Sequence, residues 1–173
     1  MRTSGRTPLG LVAPQPHTDP MTQRVDLATV MDRLAIDEVV SGYAAAVDDG
    51  DWAGYRALFT PSGRADYSSA GGVEGPAAEV ADWLAQTMEL FPVRQHLIVN
   101  RVIRLEDRGG WPGDSAEVRA DFLNPMRLAG PGDTGTAPNF VAAGRYSFAL
   151  ARTPDGWRLT GVTVHEKWRR MSA

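Results

Sequence analysis

Between Leu27 and Val47 the apolar residues recur at helical spacing, with Ile36, Val40, Tyr43 and Val47 in one stripe and Val39 and Ala44 on its flanks. This pattern predicts an amphipathic helix that stops at Gly50. A second, short helix is expected over "WAGYRALF", with Asp51 as its N-cap, and a third over "AAEVADWLAQTMEL", where Val80, Trp83, Leu84 and Met88 keep the helical period until Pro92. Between them, after "TPSG", a short extended run covers Arg64 to Tyr67. Beyond Pro92 the period changes. "VRQHLIVNRVIRLE", "AEVRADFLNPMRL", "NFVAAGRYSFALART" and "WRLTGVTVHEKW" read as strands, separated by "DRGGWPGD", "AGPGDTGTAP" and the tight "PDG" turn. Helices first and an antiparallel meander after them imply an α+β domain, with the helices on one face of a strongly curved sheet that encloses a cone.

Composition narrows the chemistry. At 173 residues the chain is one ordinary domain, large enough to bury a core with a cavity beside it. A net charge of -3 with dispersed Lys and Arg offers no footprint for nucleic acid, and no apolar run approaches the length of a membrane span. There is no cysteine, and the three histidines lack metal-ligand spacing, so neither a metal nor another cofactor is expected. Residues 1–24 are rich in Pro, Thr and Gly and form a poor secretory signal, so they are expected to be a disordered extension, with Met21 an alternative start. The folded domain then runs over 25–173, and the cytoplasm is the expected compartment.

Three carboxylates, Asp48, Asp49 and Asp51, crowd the end of the first helix, where the backbone dipole repels negative charge. At 100° per residue, Asp49 points away from the apolar stripe, while Asp48 falls at its edge. Partial burial and the helix end both disfavour a charged Asp48, a combination met at functional positions, although a local hydrogen bond in the "DDG" turn would explain it as well. His96 lies on the first long strand, sharing a face with Ile98, Asn100 and Val102; it is either a cavity group or a core histidine with a satisfied hydrogen bond. Tyr67 can offer a hydroxyl to a carbonyl or simply pack. His165, among charged neighbours, is expected to be exposed or at an interface. GxGxxG, GxxxxGK[ST] and GxSxG are all absent, which disfavours phosphate-loop and serine-nucleophile chemistry.

The segments "IDEVVSGYAAAVDDGDWAGYRALFTPSGRADY", "RQHLIVN" and "AAGRYSFALARTPDGWRLTGVTVHEKW" together resemble the SnoaL-like branch of the nuclear-transport-factor-2-like superfamily, and within it scytalone dehydratase, from about Leu27 to the C-terminus. That resemblance implies a cone-shaped α+β barrel whose pocket holds an acid–base pair. It puts the helix-end aspartate at Asp48, the strand-start histidine at His96 and a substrate-polarising tyrosine at Tyr67. The resemblance is partial. The tyrosine that precedes the dehydratase's aspartate is Val47 here, its second histidine falls near Pro125 and Met126, and its asparagine on the third long strand is replaced by Ser147.

Asn100, Arg145, Ser147, Phe122 and Met126 complete the candidate substrate contacts. Arg145 and Ser147 face opposite to Phe140, Tyr146 and Phe148; if those aromatics lie outside, they form a patch that a second subunit would cover. The expected function is a cofactor-independent lyase or isomerase, of dehydratase or cyclase type, acting on a small apolar oxygenated metabolite such as a polyketide or aromatic intermediate. A homodimer or homotrimer is the expected assembly. The same pocket could instead belong to a non-catalytic binding or assembly module, or to the small subunit of a ring-hydroxylating dioxygenase.

Overall fold

The computed structural model describes residues 27–106 and 114–172. The extension over 1–24, the Met21 start, His17 and most of the "DRGGWPGD" separator lie outside these residues. The helices are α1 (Leu27–Asp49), α2 (Trp52–Ala57) and α3 (Ala77–Met88), and the strands are β1 (Phe59–Asp66), β2 (Glu74–Pro76), β3 (Val93–Arg94), β4 (Leu97–Glu106), β5 (Ser115–Arg127), β6 (Phe140–Thr153) and β7 (Gly156–Met171). A single 3-10 turn, Ser68–Ala70, follows β1.

The strands form one sheet in the order β2-β1-β7-β6-β5-β3, with β4 also paired to β5. The meander from β4 to β7 is antiparallel as expected. The β1–β7 pair is parallel, so the sheet is mixed. β1 also begins earlier than its residues suggest. α2 stops at Ala57 and the strand starts at Phe59, accommodating Pro61 and Gly63 where its register against β7 shifts. The "PDG" turn is a tight hairpin, with Thr153 paired to Gly156 and Gly156 at φ 98°.

Helix-period and strand-period residues meet in one core. Ile36, Val40, Tyr43 and Val47 of α1 are buried, as are Val80, Leu84 and Met88 of α3, against Val118, Phe122, Tyr146, Phe148, Leu159 and Val162 on the concave side of the sheet. Burial of this stripe, rather than intrinsic propensity, is what makes α1 a helix. Its N-terminal end is tied across the fold by Asp32, which accepts from Arg152 Nη2 at 2.6 Å and from Trp157 Nε1 at 3.2 Å.

The hydrogen bond from Arg152 holds the Asp32 carboxyl below its ordinary value. Its stabilising effect is therefore present at neutral pH and fades as the pH drops below the usual value near 3.8. Asp32→Asn is expected to cost about 1 kcal/mol at pH 7 in urea unfolding. The difference from the wild type should close in acid; a constant difference down to pH 2 would show that the carboxylate charge has no part in it.

Candidate active site

α1 ends with the geometry its last residues dictate. Gly50, at φ 69°, breaks the helix, and Asp51 starts α2 by accepting from the Gly54 N–H at 2.8 Å. Asp49 is exposed and Asp48 is partly buried at the edge of the stripe, as the helical spacing requires. Arg94 supplies what the sequence reading lacked. Its Nε donates to the Asp48 carbonyl and its Nη1 to the Met88 carbonyl, both at 2.8 Å, so one guanidinium closes the C-terminal ends of α1 and α3. A cation there offsets the negative helix ends beside which Asp48 sits.

His96 is not within a strand. β3 ends at Arg94 and β4 begins at Leu97, because the His96 N–H leaves the ladder and donates to Asp48 Oδ2 at 2.8 Å. The ring follows the backbone, and Nδ1 lies 2.5 Å from Asp48 Oδ1. One carboxylate thus holds both the main chain and the side chain of His96, fixing the imidazole plane and placing the Nδ1 proton toward Asp48. Nε2 is left as the nitrogen available to the space that His96 lines.

That space is a cavity of about 300 Å³. Its walls are largely apolar: Trp83, Leu84 and Met88 from α3, Phe91 beyond it, and Phe122, Met126, Phe140, Ala142 and Val164 from the sheet. The polar residues of the lining are Tyr67, Thr87, Asn124, Tyr146, Glu166 and Arg169, besides His96. Asp48 does not line it but stands behind the imidazole.

Tyr67 sits just past the end of β1, buried, with its hydroxyl hydrogen-bonded to the Tyr43 hydroxyl and its ring against Trp83. Tyr43 also meets Tyr146 edge to face at 5.5 Å, and Tyr146 stacks on Phe122 at 4.5 Å. Burial lifts the Tyr146 phenol to about 12 and carries Tyr43 and Tyr67 well above their ordinary value. All three stay protonated at neutral pH and can donate hydrogen bonds.

The structure brings Asp48, His96, Tyr67, Phe122 and Met126 to the cavity or its back wall, and places three other candidates elsewhere. Asn100 is exposed at a bulge in β4, at φ 53°, and donates to Asp121. The interruption of the strand at His96 and this bulge cancel the alternation that would have set the two residues on one face. Arg145 is exposed and paired with Asp121 at 2.8 Å, and Ser147 contacts His165 Nε2 at 3.2 Å. Both lie on the outer side of β6, because Tyr146 and Phe148, each 2% exposed, take the concave side. The aromatic face is therefore inside, which removes the stated reason for a second subunit to cover it. His165 is exposed, as expected.

Asn124 and Tyr146 went unchosen in the sequence. Asn124 alternates with Phe122 and Met126, so the period of two was a sufficient signal for it. For Tyr146 nothing in the alternation says which side is concave. Among the described residues no cluster of three His, Asp or Glu could hold a metal ion, and no helix is long and apolar enough to cross a membrane.

Comparison with known proteins bears on the family and the fold. An uncharacterized protein of Mycobacterium tuberculosis strain H37Rv, Rv2910c, is 32% identical over 136 residues, which covers 78% of this chain and 85% of the relative. A hexachlorocyclohexane dehydrochlorinase, LinA type 2, superposes with a TM-score of 0.71 at 16% identity, covering 85% of this chain and 93% of that one. A candidate scytalone dehydratase of Novosphingobium aromaticivorans superposes with a TM-score of 0.68 at 16% identity, covering 83% and 89%. These two share the fold of this chain, as does a nuclear-transport-factor-2-like superfamily protein of Salmonella enterica, with a TM-score of 0.63 at 21% identity, covering 84% and 94%. The family model for the SnoaL-like domain matches residues 28–163, and the chain belongs to the SnoaL-like family.

Proposed function

We propose that this protein is an acid–base lyase or isomerase that acts on a small, largely apolar oxygenated metabolite, using its own side chains. The observation that carries this reading is His96: Nδ1 is held by Asp48 at 2.5 Å while the ring lines an apolar cavity of about 300 Å³. A base in such a place can take a proton from the carbon next to a substrate carbonyl. Neutral phenols of Tyr67 and Tyr146 supply hydrogen bonds where negative charge collects on that carbonyl oxygen. Asp48 stabilises the imidazolium formed in this step. In an elimination the proton returns to a hydroxyl on the adjacent carbon, so that a C–H and a C–O bond break, a C=C bond forms and water leaves. In an isomerisation it returns to another carbon.

Support from the comparisons is at the level of family and fold. LinA is a dehydrochlorinase and the Novosphingobium protein a candidate dehydratase, and both reactions are eliminations.

The test is solvent exchange in deuterium oxide with a panel of cyclic ketones and β-hydroxyketones, followed by mass spectrometry. For at least one compound the wild type should accelerate deuterium uptake beside the carbonyl, or loss of water, at least 100-fold over buffer. Buffer-level rates for compounds that NMR shows to be bound would make the cavity a binding site without catalysis.

A further inference from the structure

We infer that Asn124 is the residue that selects the substrate, and that it selects a neutral molecule by a hydroxyl group held beside His96. This deepens the reading of the cavity given above and rests on it for the role of His96, but the binding it describes does not require turnover.

Asn124 is 4% exposed and lines the cavity, yet its Oδ1 has no hydrogen-bond partner. The amide is not idle, because its Nδ2 faces the Tyr146 hydroxyl at 3.5 Å. The orphan is thus one buried acceptor, on a side chain that lines the cavity. A buried carbonyl oxygen left without a donor is costly, and the cost is removed when a ligand brings an O–H to it.

Register places this acceptor next to the base. The Gln95 N–H bonds the Pro125 carbonyl, and Leu97 pairs with Leu123. Position 96 therefore stands across from position 124, and both side chains line the cavity. On its other side Asn124 pairs with Ala142, whose small side chain leaves room over the amide. A hydroxyl accepted by Oδ1 then lies on the same wall of the cavity as the His96 ring.

The charge of the ligand follows from the rest of the lining. Besides His96, the charged side chains of the lining are Glu166 and Arg169, which pair with each other at 2.6 Å, Arg169 being further tied to the Ala70 carbonyl at 2.9 Å. No unpaired cation in the lining receives a carboxylate or a phosphate. Such a group would lose its water without compensation among Trp83, Phe122 and Met126.

The experiment compares four probes that differ in one substituent: 2-indanol, indane, 2-indanone and indane-2-carboxylate, with affinities from calorimetry on the full chain. 2-Indanol has no carbonyl beside its hydroxyl, so binding is read without elimination. The wild type should bind the alcohol at least tenfold more tightly than indane or the ketone, and the carboxylate not measurably. Asn124→Leu should retain indane binding and bring the alcohol to within twofold of it. If that variant does not fold, the wild-type series alone decides the matter. The assignment is overturned if the wild type binds alcohol and hydrocarbon within twofold, fails to bind the alcohol, binds the ketone as tightly, binds the carboxylate, or if the alcohol preference survives in Asn124→Leu. A protein that passes here but shows no solvent exchange keeps Asn124 as the selecting residue and loses His96 as a base.

Discussion

Replacing His96 by alanine should lower the rate of deuterium uptake or water loss by about 10²–10⁴-fold, the range that a positioned general base contributes. The reason is local. Among the described residues His96 is the only histidine that lines the cavity, and the phenols that share that lining stay protonated at neutral pH, so none of them can take over as base. The His96 side chain is 7% exposed, and its removal also leaves a void next to Asp48. For this reason His96→Gln is the companion variant: it keeps volume and the main-chain bond to Asp48 while removing the base. Both variants should show the same loss of rate, with near-native circular dichroism. A His96→Gln protein with wild-type turnover would place the base elsewhere.

Asp48→Ala should be the most destabilising change at the site, because one carboxylate serves two donors. The His96 N–H and Nδ1 both lose their acceptor, at 2.8 and 2.5 Å in the wild type. Hydrogen bonds to a charged group contribute roughly 1.5–3 kcal/mol each, and the two are not independent, so a total of about 3 kcal/mol is expected in urea unfolding. The break between β3 and β4 depends on the first of these bonds. Hydrogen exchange at the His96 amide should rise well above that at Val118, in the buried middle of β5, when the carboxylate is gone. Turnover should fall with it, since an imidazole free to rotate no longer presents one nitrogen to the cavity. Asp48→Ala with unchanged amide protection at His96 would mean that another group holds this turn.

Much of the fold was written locally. The α1 stripe, the Asp51 cap and the "PDG" hairpin each follow from a few adjacent residues, and each is present in the structure. The position of Asp48 at the stripe's edge needed only the helical angle. What could not be read locally depends on partners far along the chain. The run "VRQHLIVN" has the composition of an unbroken strand, and the break at His96 arises from a carboxylate 48 positions earlier. Arg94 has no local signature as a cap for two helices, because its acceptors belong to α1 and α3. Ser147, matched by the resemblance, and Arg145, two residues before it, stand on a strand whose concave side the sequence does not reveal. Asn124 is the opposite case: its alternation with Phe122 and Met126 was legible, and its significance appears only with the unpaired Oδ1.

At the centre stands one claim, that Asp48 fixes which nitrogen of His96 faces the cavity. Nitrogen-15 NMR of the histidine rings, with His96 assigned by its absence in His96→Gln and recorded at a pH where the ring is neutral, reads this directly. The account predicts a proton on Nδ1 and an unprotonated Nε2 that shifts when a ligand fills the cavity. A proton on Nε2, or ring signals that average between the two tautomers and do not respond to ligand, would contradict it.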